Sequence, residues 1–395
     1  MIQTPYAGRE EAFAAFAEHV NRGKVEAFRA LGVDVVLGER LGARFADLYD
    51  GRSWLNCHSN GGVFNLGHRH PAVVEAVRRA LDHLDVGNHH LVSAFRADVA
   101  RRLAATAGGL LPGVVFAVGG GEANDLAIKV VRGATGRPRL VTAAGAYHGH
   151  TGLALAAGDA RYRDPFGLTA PDVATVPWDD LAAIDAAVDD RTAAVLLEAI
   201  PATSGMTVPS PGYLRGVERI CRARGAKLVL DEVQTGLGRT GTFWSWQQDG
   251  VVPDAFTTGK GLSGGIYPIA ATLLSAELFR FFDEHPFVHV STFGGSELGC
   301  AAAGAVLDVA GAPGFLERVA DLAERFRRGL AGAPYALRQR GLFMALAFGR
   351  EGAAVAAMRA LYEAGILAIY AGHDTSVLQL LPPLARQGGS DTIRH

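Results

Sequence analysis

Four lysines stand among the 38 basic residues of this 395-residue chain, and the other 34 are arginine. Lys24 and Lys129 fall on helical patterns and Lys227 opens an apolar run, whereas Lys260 sits between two glycines in Thr258-Gly259-Lys260-Gly261. A loop lysine is ordinarily a solvated surface group. Held in a tight turn, its amine can instead condense with a carbonyl compound and later move protons. Asp231 closes the run Lys227-Leu228-Val229-Leu230, and a carboxylate carried off a buried strand is costly without a cationic partner. Gly119-Gly120-Gly121 precedes a helical pattern. Such a turn can be no more than a turn, but a helix start also offers free N–H groups and a positive dipole end to a phosphate. Tyr147, His148 and Glu198 follow two further apolar runs.

The elements that must hold these residues are legible between about 115 and 275. Short apolar runs at Val114–Val118, Leu140–Ala143, Ala193–Leu197, Lys227–Leu230, Ala255–Thr257 and Ile269–Leu274 alternate with helical stretches such as Glu122–Arg132 and Tyr213–Arg224. Alternation of this kind predicts an α/β protein with a mostly parallel sheet flanked by helices. In such sheets ligands bind beyond the carboxyl ends of the strands, where each candidate residue falls. A phosphate cradle, an aromatic ring, a carboxylate and a shielded lysine along one edge are what pyridoxal 5'-phosphate requires. The lysine forms a Schiff base, the carboxylate keeps the pyridine nitrogen protonated, and the aromatic stacks on the ring. Outside this region, Glu10–Leu31, Val73–Leu84, Ala301–Val309 and Gly314–Ala331 read as helices.

Composition narrows the class. With 49% hydrophobic residues the chain can bury a substantial core, and a formal net charge of −2 gives no electrostatic reason to expect nucleic acid or an anionic membrane as partner. Residues 1–20 lack the pattern of a secretory signal, and no apolar run reaches the length of a membrane span. Cys57, Cys221 and Cys300 are widely spaced and read as isolated thiols of a reducing compartment. A cytoplasmic enzyme is expected.

Two other chemistries have weaker support in the sequence. The pairs His68/His70, His89/His90 and His148/His150 suggest zinc only weakly, since no third ligand stands at a suitable spacing; no metal is expected. Gly261-Leu262-Ser263-Gly264-Gly265 matches the letters of a nucleophile elbow. No strand leads directly into that serine, so the loop is better explained by Lys260.

Several stretches resemble the class III aminotransferases of fold-type I, from about residue 40 to Leu384. They are Asn65-Leu66-Gly67-His68-Arg69-His70-Pro71, Gly120-Gly121-Glu122-Ala123-Asn124, Tyr147-His148-Gly149, Leu230 through Gly241, Thr258-Gly259-Lys260-Gly261-Leu262 and Thr292-Phe293-Gly294-Gly295. The resemblance implies a large cofactor domain over about 61–297, with a small α+β domain assembled from 1–60 and 298–395. It implies Lys260 as the Schiff-base lysine, Asp231 on the pyridine nitrogen, Val233 and Tyr147 on the two ring faces, and Gln234 at the ring hydroxyl. Glu198 would lie near the cofactor's polar edge, and His148 is counted with it among the cofactor-binding residues. The backbone of Gly120 and Gly121 would hold the phosphate, joined by Thr292 from a partner subunit in a homodimer or larger assembly.

The sequence departs from the family pattern mainly on the substrate side. Gly119-Gly120-Gly121 replaces the usual Ser-Gly-Thr or Ser-Gly-Ser, so a hydroxyl ligand for the phosphate is missing. Pro201-Ala202-Thr203 stands where many members carry Gln-Gly-Glu, which puts Thr203 in place of a gating glutamate. Gln379, in Leu378-Gln379-Leu380-Leu381-Pro382-Pro383-Leu384, stands where an arginine usually grips a carboxylate. The chain ends 11 residues beyond Leu384, where relatives usually add a terminal helix. The expectation is an aminotransferase that moves nitrogen from an amine or amino acid to a ketone, an aldehyde or a modified peptide end in specialised metabolism. An aminomutase or a decarboxylating aminotransferase would use the same cofactor residues, and a non-catalytic binding protein of this fold is the remaining alternative.

Overall fold

A computed structural model describes residues 4–87 and 91–385. Its centre is a seven-stranded sheet of β1 (Gly113–Ala117), β2 (Arg139–Ala143), β3 (Val173–Val176), β4 (Thr192–Glu198), β5 (Lys227–Asp231), β6 (Ala255–Thr258) and β7 (Ala270–Leu274), in the order β1-β7-β6-β5-β4-β2-β3. Only β7 runs against its neighbours; the pairs β5–β6, β4–β5, β2–β4 and β2–β3 are parallel. All seven residues of β4 are buried, as expected of a central strand covered on both faces. One side packs around Leu126, Ile128, Val130 and Val131 of the helix Gly120–Thr135. The other packs around Leu103, Leu214, Val217 and Trp244.

β3 was not expected from sequence. It is a four-residue edge strand, half-exposed along most of its length, and so carries too few apolar positions to stand out. The helix Ala94–Thr106 was also missed, because its periodicity is blurred by alanine and arginine. The predicted helix over Glu10–Leu31 proves to be interrupted: Arg9–Phe16 gives way to one π turn, Ala17–Asn21, before Arg22–Ala30. Asn21 takes an extended backbone, and its Oδ1 accepts the Lys24 N–H at 2.9 Å, which restarts the helix.

The two ends of the chain meet. Ile366–Leu367 pairs in parallel with Ser53–Asn56, extending a sheet formed with Leu37–Leu41 and Arg44–Asp47. Trp54 stacks between Phe45 and Tyr362 and donates its Nε1–H to the Tyr362 carbonyl at 2.8 Å. A third sheet of Ala336–Arg340, Phe343–Ala347, Asp374–Leu380 and Ile369–Ala371 sits against the loop after β4 through Ile200, Ala202 and Met206. Among the described residues no single helix is long and apolar enough to cross a membrane.

Candidate active site

Parallel register sets the floor of the site. Glu198 at the end of β4 lies beside Asp231 at the end of β5, which lies beside Thr257 in β6. Parallel neighbours in register face the same way, so this edge concentrates two carboxylates. Asp231 is met by three donors. Its Oδ2 accepts from His148 Nδ1 at 2.9 Å and from Asn124 Nδ2 at 2.8 Å, while Oδ1 accepts the Val233 N–H at 3.0 Å. Asn124 is itself fixed, donating to the His148 carbonyl and accepting the Thr257 hydroxyl at 2.9 Å. Glu198 accepts the N–H groups of Tyr147 and Ala202 at 3.0 and 3.1 Å. Burial nevertheless pushes its carboxyl up to about 7, despite the offset from His148, and nearby Asp231 adds to the rise.

Lys260 enters from the turn after β6. Its φ is +41°, a left-handed conformation uncommon for a residue with a side chain. The turn is braced by the Ser263 hydroxyl, which donates to the Lys260 carbonyl at 2.6 Å; Ser263 is thus a local tie. The flanking Gly261 is required, because a β-carbon there would come within 2.6 Å of Asn65 Nδ2. Lys260 Nζ donates to Gln234 Oε1 at 2.9 Å. Loss of water lowers the amine's pKa, and the Asp231 and Glu198 charges counter that only in part.

The helix Gly120–Thr135 begins on the same cavity, and no side chain caps its amino end. The N–H groups of its first turn therefore point at open space, the arrangement a phosphate fills. The approach here is close: a β-carbon on Gly120 would lie 2.9 Å from Val233 Cγ1, and one on Gly149, in the loop after β2, would lie 2.5 Å from Gly121 Cα. Gly120, Gly121, Asn124, Tyr147, His148, Glu198, Asp231, Val233, Gln234 and Lys260 all line this one cavity. An uncapped helix start at one end, a buried carboxylate with an unfilled lone pair below and an amine at the other end fit a flat phosphorylated pyridine aldehyde.

The residues singled out on the substrate side stand apart from that lining. Gln379 is buried and donates to the Ala202 carbonyl at 2.7 Å. Thr203 Oγ1 reaches only the Gly145 carbonyl, at 3.4 Å. Thr292, expected to reach the phosphate from a partner subunit, is exposed and is not among the residues that line this chain's own cavity. His89 and His90 lie outside the described residues. His68 is buried against Asn56, its Nε2 3.0 Å from Asn56 Nδ2.

Three features were missed by sequence reasoning. Asn124, the second partner of Asp231, lay within a quoted motif yet had no assigned part; its place one turn into a helix aimed at the sheet edge was the available signal. His58 hydrogen-bonds Gln379 and feels the Lys260 charge, and burial drives its pKa down to about 4. Arg239 is completely buried with no carboxylate partner among the described residues. It donates instead to Asn65 Oδ1 at 2.7 Å, Pro382 O at 2.7 Å and Leu342 O at 3.1 Å. Burial lowers its pKa to about 9.

Comparison with known proteins gives the family. The family described as aminotransferase class-III matches residues 29–389. An uncharacterized aminotransferase of Archaeoglobus fulgidus is 50% identical over 95% of this chain and 90% of its own length. The acetylornithine aminotransferase of Mycobacterium bovis is 41% identical over 89% and 87%. Among solved structures, the ornithine aminotransferase of Toxoplasma gondii superposes with a TM-score of 0.86 at 28% identity, covering 96% of this chain and 91% of that one. The taurine:2-oxoglutarate aminotransferase of Bifidobacterium kashiwanohense, solved with PLP and glutamate, gives 0.85 at 25% identity over 96% and 94%. The chain belongs to the class III aminotransferases.

Proposed function

We propose that this enzyme uses pyridoxal phosphate at the edge of the seven-stranded sheet to move an amino group from an amine or amino-acid donor to a ketone or aldehyde acceptor. One observation carries the assignment of residues. The single lysine set in a glycine-flanked turn shares a cavity with Asp231, Gln234, Tyr147 and an uncapped helix start.

When bound, the cofactor supplies a protonated pyridine ring that takes up the electron pair released at the substrate carbon. Asp231 would hold the proton on the ring nitrogen, and its orientation is fixed by His148, Asn124 and the Val233 N–H. Val233 and Tyr147 would confine the ring from either side. Gln234 would accept or donate at the ring hydroxyl, in addition to its bond with Lys260 Nζ. Lys260 Nζ would hold the cofactor through its amine, and when free that amine would accept a proton from the substrate carbon and give it up again within the site. A buried amine with a lowered pKa is suited to that task, because it can be neutral when the proton must be accepted. The N–H groups of residues 120–122 would hold the phosphate.

Thr203 and Gln379 support a substrate pair outside the central 2-oxoacids. Glutamine cannot hold a carboxylate as arginine does, and Gln379 Nε2 already bonds the Ala202 carbonyl. A ketone or aldehyde of specialised metabolism fits such a site. We also infer a homodimer at least. Leu91, Val92, Phe287 and Val290 are exposed around one groove, and an apolar surface of this kind marks a protein contact.

The test is a visible absorption spectrum of purified protein, before and after a panel of amine donors. A yellow band that bleaches with one donor supports the assignment and names the donor class. A protein that stays colourless with added pyridoxal phosphate removes Lys260 from its role. Efficient exchange between glutamate and 2-oxoglutarate would overturn the substrate reading alone.

A further inference from the structure

Tyr147 lines the cavity, and its ring is gripped by side chains outside that lining. The rings of His150 and Tyr162 meet it nearly at right angles, with centroids 5.2 and 5.4 Å away and interplanar angles of 75° and 78°. They also meet each other, at 5.2 Å and 90°. Edge-to-face contact is a favoured geometry at such distances. A plane perpendicular to two mutually perpendicular planes has one orientation left, so this corner of three rings fixes the tilt of Tyr147.

The corner is itself anchored to the third sheet. Tyr162 Oη lies 3.1 Å from His373 Nε2, and the two rings pack at 5.3 Å. His373 stands in the turn between Ile369–Ala371 and Asp374–Leu380. Its N–H donates to the Thr203 carbonyl at 2.9 Å, and its Nδ1 lies 3.4 Å from Ser204 Oγ. Ser204 gives its one hydroxyl proton to the Gly145 carbonyl at 2.6 Å. His373 Nδ1–H must therefore donate to Ser204, which leaves Nε2 to accept the Tyr162 hydroxyl. Burial keeps both groups in the form this needs, lowering the pKa of His373 and raising that of Tyr162. A second tie runs through Asp159, which precedes the short helix Ala160–Arg163 that carries Tyr162. Its Oδ2 accepts the Gly145 N–H at 3.1 Å, and its own N–H donates to the Ala146 carbonyl at 2.9 Å.

We propose that Tyr162, held by His373, is a positioning residue for the cofactor, acting through Tyr147 to keep the ring that lies against it at a fixed tilt. This rests on the reading that Tyr147 confines the cofactor ring. Through His373 the same contacts join that ring face to Thr203, on the side we propose faces the substrate.

The test loads each variant with pyridoxal phosphate, removes the excess and reads two quantities. One is the visible circular dichroism of the bound cofactor divided by its absorbance, which reports how the ring is held and does not change with the fraction loaded. The other is the dissociation constant of pyridoxal phosphate. Tyr162→Ala is expected to lower the dichroism ratio and to weaken binding by about tenfold. Tyr162→Phe and His373→Phe keep the rings and lose the bond between them. Each should weaken binding about threefold, and the double variant no further, as one shared bond requires. In a Tyr147→Leu background, Tyr162→Ala should change neither quantity again. A wild-type ratio in Tyr162→Ala, additive losses in the double variant, or an undiminished effect in the Tyr147→Leu background overturns the proposal and leaves the reading of Tyr147 standing. Tyr147→Leu with wild-type dichroism and affinity overturns that reading and the proposal with it.

Discussion

The floor of the cavity and its substrate side are built in opposite ways. On the floor, Asp231, Asn124, His148 and Thr257 come from two strands, the helix above them and the loop after β2, and each polar group has a partner that is itself fixed. On the side we propose faces the substrate, Thr203, Gln379 and His58 come from loops and a strand of the third sheet, joined by single bonds to backbone carbonyls or to one another. The floor is over-determined, so the chemistry of the cofactor tolerates little change there. The other side can be altered one residue at a time, and it holds Thr203 and Gln379, the positions where the sequence leads us to expect departures from the family pattern. A scaffold can keep one reaction and exchange substrates when its constraints are divided in this way.

The sharpest way to break that contrast is at Lys260. Lys260→Ala should lower amino-group exchange by about 10⁴-fold or more and abolish the yellow band; an active, coloured variant would end the division. Asp231→Asn keeps the shape but removes the charge, and should cost about 10²- to 10³-fold in turnover, measured as single-turnover bleaching. Arg239→Met leaves two buried carbonyls and Asn65 without their donor, so thermal unfolding should report a loss of about 3 kcal/mol. Glu232 tests the floor through pH. It is buried, accepts the Thr235 hydroxyl and the Trp246 N–H, and burial pushes its carboxyl from 4.5 to about 7. Between those values the folded state holds a proton that the unfolded chain has released. Its contribution is therefore complete below about pH 4.5 and fades as the pH rises to 7, by up to about 3 kcal/mol. Glu232→Gln should flatten that part of the slope in urea midpoints taken at pH 5 and pH 8. Gln379→Ala should have the smallest effect, about 1 kcal/mol of stability with the cofactor spectrum unchanged.

Much of the floor was legible because it is local. Asp231, Lys260, Glu198 and Gly120 each follow an apolar run, and parallel topology gathers strand ends without further information. The helix Tyr213–Arg224 was delimited to the residue, since Gly212 and Gly225 flank it. What stayed hidden depends on distant contacts. His58 is half-buried beside Gln379, more than 300 residues along the chain. Nothing in its neighbours announces that. The π turn at Ala17–Asn21 escaped because inserting one residue into a helical turn leaves the apolar spacing almost intact.

Arg239 has a consequence for how the chain acquires its shape. Its bonds span 174 residues back to Asn65, and 103 and 143 residues forward to Leu342 and Pro382. A guanidinium enclosed without a counter-ion is tolerable only when those acceptors are in place. Until Pro382 has been synthesised and has left the ribosome, the core around Arg239 cannot close without stranding a charge. Long-range closures of this kind are slow steps. The closing of the core around Arg239 is thus tied to residues far along the chain: a chain interrupted before residue 382 is expected to be more open to limited proteolysis around Arg239 than the full chain, even with every expected cofactor residue already made.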